Sequence, residues 1–149
     1  MTREEIQTKS LLLSEDHKYI VYELATGVGK TLVAINVIEK YGGFWNIVIA
    51  ETPHEQNWIR EFKKHGKEDL LQNVKFFCYA SLKKNTSGGN YIFDEFHHIT
   101  SDLRIELLTI TKSNGIDRLI GLSATLTQIQ KERIKSAIGN FYIYKFTLS

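Results

Sequence analysis

At residue 24 the sequence changes character abruptly. A short run of β-branched, aromatic and aliphatic residues, YIVYEL (Tyr19 to Leu24), passes straight into ATGVGKT (Ala25 to Thr31), and that segment opens a helical pattern reaching Tyr41. Few folds accept a strand, a glycine-bearing loop and a helix joined with no spacer. In this context Thr26, Gly27, Val28 and Gly29 form a loop whose glycines let the backbone turn tightly and bring N–H groups close to phosphate oxygens. The start of the helix adds a favourable field for negative charge. Lys30 reaches the β- and γ-phosphates, and the Thr31 hydroxyl is placed to coordinate Mg²⁺. The strict pattern G-x-x-x-x-G-K-[ST] asks for glycine where this chain has Leu24. A plain strand-to-helix turn is the competing reading, but such a turn gives no reason for a lysine and a threonine to stand together behind two loop glycines.

Similar apolar runs recur as NIVIA (Asn46 to Ala50), VKFFC (Val74 to Cys78), YIF (Tyr91 to Phe93) and RLIGL (Arg118 to Leu122). Several lack apolar/polar alternation, as central strands of a parallel sheet covered on both faces do. Helical patterns lie between them. Lys30 to Tyr41 gathers Asn36, Glu39 and Lys40 on a polar arc and leaves Ala34, Val37, Ile38 and Tyr41 for the core. Gly42-Gly43 stops it. Further helices are expected to bury Trp58 with Phe62, then Leu103, Leu107 and Ile110, then Ile134, Ala137 and Ile138 ahead of Gly139. Strands alternating with helices predict an α/β fold, a three-layer αβα sandwich around a mostly parallel sheet. KKNTSGGN (Lys83 to Asn90) is expected to be an exposed loop, and FYIYKFTLS a last strand at the end of the sequence.

With 149 residues and 42% hydrophobic content, one globular domain spanning 1–149 is the expectation. Lys+Arg 19 against Asp+Glu 17 leaves +2, too little for charge alone to hold nucleic acid. The single cysteine, Cys78, excludes an internal disulfide and any zinc site built from several cysteines, and fits a reducing, cytoplasmic compartment. No apolar run approaches the ~18 residues of a membrane span, and MTREEIQTKS lacks the apolar core of a signal peptide.

A phosphate loop needs acidic partners at the end of another buried strand, and YIFDEFHH (Tyr91 to His98) supplies them. Asp94 suits Mg²⁺ held through its water shell, and Glu95 suits polarising the water that attacks the γ-phosphate. Lys30, Asp94 and Glu95 are therefore the candidate catalytic residues. His97 and His98 invite a metal reading, but neighbours in an extended segment point to opposite faces, which argues against it.

Taken together these residues resemble the first RecA-like domain of superfamily 2 helicases and translocases, over nearly the whole chain. ATGVGKT is similar to helicase motif I, DEFH (Asp94 to His97) to the DExH form of motif II, and LSAT (Leu122 to Thr125) to motif III. The resemblance implies a RecA-like P-loop NTPase sheet in which the motif III strand lies between the two phosphate-site strands. It implies that Ser123 and Thr125 couple nucleotide state to domain movement and that His97 links motif II to its neighbours. Gln7 stands where many members place an adenine-reading glutamine, with Ile6 in place of the usual aromatic neighbour. Ile47 to Gly66 resembles motif Ia, especially the Swi/Snf-type version, through Asn57, Trp58, Glu61 and Phe62; Thr52 becomes a candidate contact to nucleic-acid phosphates. In YASLKK (Tyr79 to Lys84) Ser81 is another. Leu126 replaces the proline that commonly follows motif III.

The resemblance implies ATP and Mg²⁺, and a nucleic-acid partner, DNA rather than RNA because DEFHH with ATGVGKT looks closer to restriction-subunit, repair and phage translocases. It also implies a second RecA-like domain, in cis or in trans, whose arginines complete the site; this sequence stops before it, so the chain alone is expected to bind Mg·ATP and turn it over slowly. Two other readings compete with a motor. One is a stand-alone module that binds nucleotide or a partner without catalysis. The other is a small phosphotransferase, which needs an arginine-bearing lid, whereas Arg104, Arg118 and Arg133 are scattered.

Overall fold

The computed structural model describes residues 1–24 and 29–146. Six strands, β1 (Tyr19–Leu24), β2 (Trp45–Ile49), β3 (Val74–Cys78), β4 (Gly89–Phe93), β5 (Ile116–Ser123) and β6 (Tyr142–Phe146), form one sheet in the order β3-β2-β4-β5-β1-β6. Every pairing is parallel. The helices α1 (Arg3–Asp16), α2 (Lys30–Tyr41) and α3 (Pro53–Lys64) bury Ile6, Val33, Ala34, Val37, Ile38, Trp58 and Phe62 against one face. α4 (Asp102–Ser113) and α5 (Gln128–Ile138) cover the other with Leu108, Ile134 and Ala137. The result is the expected three-layer αβα arrangement. It explains the continuous apolar runs, because β1 and β2 are covered on both sides.

The topology sets the chemistry. β5, the strand of LSAT, lies between β1 and β4, so the segments following β1 and β4 emerge at the same sheet edge on either side of it. In α/β sheets the crevice beyond the carboxyl ends of the strands is where ligands sit.

Three expectations need correction, and one element is an addition. The run read as Asn46 to Ala50 is strand one residue earlier, Trp45–Ile49, because the Trp45 indole N–H donates to the Gly42 carbonyl at 2.8 Å and is drawn into the core. Gly89 and Asn90 belong to β4 rather than to an exposed loop; a Cβ on neighbouring Gly88 would sit 2.4 Å from the carbonyl oxygens of Asn114 and Gly115, so the chain runs tight against the start of β5. The α4 stripe has the right period and the wrong phase. Leu103 and Ile110 are 61% and 48% exposed, whereas Leu108 and Thr111 are buried. Arg104 turns the helix: its Nη1 donates to the His98 carbonyl at 3.0 Å and its guanidinium lies over the Tyr79 ring. Finally, α1 was absent from the expected elements. Thr2 and Glu5 start it with a reciprocal capping box, and Ile6 anchors it.

Candidate nucleotide site

Thr26, Gly27 and Val28 lie outside the described residues. The loop re-enters at Gly29, which caps α2 with φ +82°, a conformation that favours glycine. A Cβ there would also lie 3.1 Å from Gln7 Nε2. Among the described residues no side chain caps this end of α2, and its first N–H groups have no intrahelical partner.

Lys30, the first residue of α2, extends across to the end of β4. Its Nζ lies 3.6 Å from Asp94 Oδ1 and 3.9 Å from Glu95 Oε1. Thr31 lines the same cleft. The ammonium and both carboxylates thus meet, although they are separated by more than sixty residues of chain.

The two carboxylates differ in setting. Asp94 is 8% exposed, and its Oδ2 accepts the indole N–H of Trp58 at 3.0 Å. Its Oδ1 accepts the Glu95 backbone N–H at 3.0 Å. Its carbonyl accepts the Tyr79 hydroxyl at 2.7 Å; burial, with Asp94 nearby, pushes the Tyr79 phenol far above its ordinary pKa, so it remains a donor. Glu95 is more open. It adopts φ +47°, alone among the described non-glycine residues in the left-handed region, and there the extended chain breaks into a 3-10 turn, Phe96–Thr100. Phe96 seats this turn against β5, where a Cβ on Gly121 would fall 2.5 Å from the ring.

His97 and Ser123 line the cleft, while Thr125 is exposed beyond it. Burial, aided by His98, lowers the His97 pKa, which favours the neutral imidazole. The premise used against a His97–His98 pair fails: the segment is a 3-10 turn rather than extended, and the two rings lie 4.4 Å apart. Ser123 is buried, and among the described residues its Oγ has no hydrogen-bond partner. Leu126, in the place of the family's proline, packs in the core.

Gln7 approaches from α1. Its Nε2 donates to the Gly29 carbonyl at 3.0 Å, and its Oε1 accepts from Asn36 Nδ2 at 3.1 Å. Thr52 and Ser81 stand apart from this group. They follow β2 and β3, at the far side of the same sheet edge, where Thr52 Oγ1 lies 3.7 Å from Cys78 Sγ.

Sequence reasoning did not assign four residues here. Trp58, at 2% exposure, is core as its helical spacing with Phe62 predicts, yet it also holds Asp94. Tyr79 and Asn36 support Asp94 and Gln7. Glu23, buried on β1 in register with Ser123, faces Lys131 Nζ of α5 at 3.6 Å; a charge inside an apolar strand was the available signal.

A family model described as Type III restriction enzyme, res subunit, matches residues 2–128. The chain belongs to this family. Among solved structures it resembles the Hef helicase domain of Pyrococcus furiosus, with a TM-score of 0.65 and 18% identity over 97% of this chain and 37% of that one. It resembles the UvsW helicase from bacteriophage T4 with a TM-score of 0.71 and 16% identity, over 93% of this chain and 58% of that one. A hypothetical ATP-dependent RNA helicase from Sulfolobus tokodaii matches with a TM-score of 0.65 and 19% identity, over 95% of this chain and 52% of that one. Identities this low speak to the fold. The chain spans 37% to 58% of the length of these neighbours. No curated protein sequence matches it. Family and fold together make this a RecA-like α/β domain. Among the described residues, no helix is long and apolar enough to cross a membrane.

Proposed function

We propose that this chain is the ATP-binding half of a DNA helicase or translocase motor, which hydrolyses Mg·ATP and couples hydrolysis to movement along nucleic acid. The observation that carries this reading is the approach of Lys30 Nζ to both Asp94 and Glu95. A cation that reaches phosphate oxygens stands beside one braced, buried carboxylate and one more exposed carboxylate suited to act on water, which is the division that phosphoryl transfer needs.

The residues fit such a ligand. Gly29 ahead of α2, Lys30 and Thr31 at its start, and Ser123 at the end of β5 all line one cleft. Thr31 and Asp94 would hold Mg²⁺, largely through its waters, and bound Mg²⁺ neutralises charge on the triphosphate. Lys30 binds the β- and γ-phosphate oxygens, exchanging its contacts with the carboxylates for contacts with phosphate. Trp58 holds the Asp94 carboxylate in one orientation, and Tyr79 anchors the Asp94 backbone carbonyl. Glu95 acts as the general base that takes a proton from the attacking water. Gln7, steadied by Asn36, reads adenine. Ser123, Thr125 and His97 pass the nucleotide state to neighbouring segments, and Thr52 and Ser81 contact nucleic-acid phosphates.

A second RecA-like domain, in cis or in trans, completes the site. Arg60 lines the cleft, but its guanidinium donates to the Asn57 side-chain amide oxygen Oδ1. An arginine finger contributes about 10³ to 10⁵ in kcat in related enzymes, so this domain alone turns over slowly. The restriction-enzyme family name favours DNA, inside the cell. One neighbour is named an RNA helicase, so the test includes both polymers.

The test measures ATPase activity of the longest natural polypeptide alone, with DNA and with RNA. DNA-stimulated turnover that Lys30→Ala and Glu95→Gln each abolish is the expected result. Unchanged turnover in either variant contradicts these roles, and stimulation by RNA alone overturns the DNA assignment.

A further inference from the structure

The left-handed turn at Glu95 does more than end β4: it divides the carboxylate between two neighbours. Oε1 faces Lys30 at 3.9 Å, whereas Oε2 lies 3.7 Å from His98 Nε2 on the opposite side. His97 stands beside His98, with ring centroids 4.4 Å apart. One ligand atom from each of Glu95, His97 and His98 lies within 4.8 Å of the others. The geometry points to a second cation site, distinct from that of Mg²⁺, in which these three side chains bind a divalent transition ion of the Zn²⁺ class.

Two imidazoles and one carboxylate are a donor set that Zn²⁺ accepts with a fourth position left for water. Bond lengths of about 2.0–2.1 Å place tetrahedral ligands roughly 3.3 Å apart, so modest side-chain rotation closes the observed spacing. Mg²⁺ prefers oxygen donors and near-octahedral geometry and gains little from imidazole. The backbone carrying these side chains is held. The Thr100 hydroxyl donates to the His97 carbonyl at 2.8 Å, Arg104 donates to the His98 carbonyl at 3.0 Å, and the His98 N–H donates to the Glu95 carbonyl at 3.0 Å. Phe96, buried between the ligands in sequence, pins the turn to the sheet.

An ion bound here takes up the lone pair on Glu95 Oε2 and lowers the carboxylate's affinity for a proton. Nucleotide hydrolysis then slows while nucleotide binding through Lys30 persists, which makes the site an inhibitory one. That consequence rests on the proposed role of Glu95; binding of the ion does not.

The test is therefore read first without nucleotide. Co²⁺, a spectroscopic substitute for Zn²⁺, is titrated into the full chain. Intense visible bands of low-coordinate Co²⁺ saturating at one equivalent are expected, with Zn²⁺ erasing them and excess Mg²⁺ leaving them in place. His97→Gln and His98→Gln, each checked by circular dichroism for folding, should remove the bands, and His65→Gln, on α3's C-terminal flank, should not. X-ray absorption on the Zn²⁺ form, needing no variant, should count two imidazoles. Absent bands, bands indifferent to both substitutions, or fewer than two imidazoles overturn the site. In the ATPase assay Zn²⁺ should depress kcat of the wild type but not of His98→Gln; Zn²⁺ binding without that effect overturns the inhibitory role alone.

Discussion

Replacing Trp58 by phenylalanine deletes one N–H and leaves most of the ring. That N–H is the donor to Asp94 Oδ2 at 3.0 Å, in a setting where Trp58 is 2% and Asp94 8% exposed. No water can readily take its place there. A hydrogen bond to a charged group contributes about 1.5–3 kcal/mol, and the smaller ring adds a packing loss that the N–H argument does not own. A double-mutant cycle separates the two: Trp58→Phe, Asp94→Ala and the pair, each unfolded in urea and followed by far-UV circular dichroism. The packing loss appears in both Trp58 steps and cancels. The coupling that remains should be about 1.5–3 kcal/mol, and the single Trp58→Phe variant should melt roughly 5 °C or more below the wild type. Coupling below about 0.5 kcal/mol, the level at which independent sites add, would refute the idea that the indole braces the carboxylate.

Other substitutions probe separate parts of the account. Gly121→Ala puts a Cβ about 2.5 Å from the Phe96 ring; overpacking of this kind costs about 1–3 kcal/mol, so urea melts should show that loss, and an unchanged midpoint would mean the turn does not rest on Gly121. Lys131→Met removes the cation 3.6 Å from buried Glu23 and should destabilise the chain, whereas adding Glu23→Gln should restore part of the loss; a double variant less stable than Lys131→Met would reject the pairing. Asn36→Ala removes the amide donor to Gln7 Oε1, and loss of one neutral hydrogen bond of about 0.5–1.5 kcal/mol should weaken ATP binding about two- to tenfold, measured by fluorescence titration, while GTP binding stays as it was. Equal effects on both nucleotides would remove Gln7 from base recognition.

The sheet and the paired Lys30 and Asp94–Glu95 clusters were legible because their signals are local. An apolar run followed by a glycine loop or by two acids reads the same whatever the rest of the chain does. What was missed depended on distant partners. Trp58 and Asp94 are separated by 36 residues, and nothing in N-W-I-R-E-F announces that the indole will meet a carboxylate. The α4 stripe was rotated because periodicity counts apolar residues, whereas Arg104 fixes the helix by binding the His98 carbonyl and covering Tyr79. Apolar patterning carries β4 past Phe93 and so sets the two histidines on opposite faces; nothing local announces that Glu95 takes a left-handed conformation. α1 carries a single strong apolar anchor, Ile6, but its Thr2–Glu5 capping box was there to be read.

A motor built on this cleft requires Lys30 and the Asp94–Glu95 pair to share one triphosphate. Calorimetric titration of Mg·ATP into the 149-residue chain should give a single saturable site, lost in Lys30→Ala, weakened in Asp94→Ala and kept in Glu95→Gln. Uptake that Lys30→Ala leaves intact, or no saturable uptake by the wild type, would contradict it.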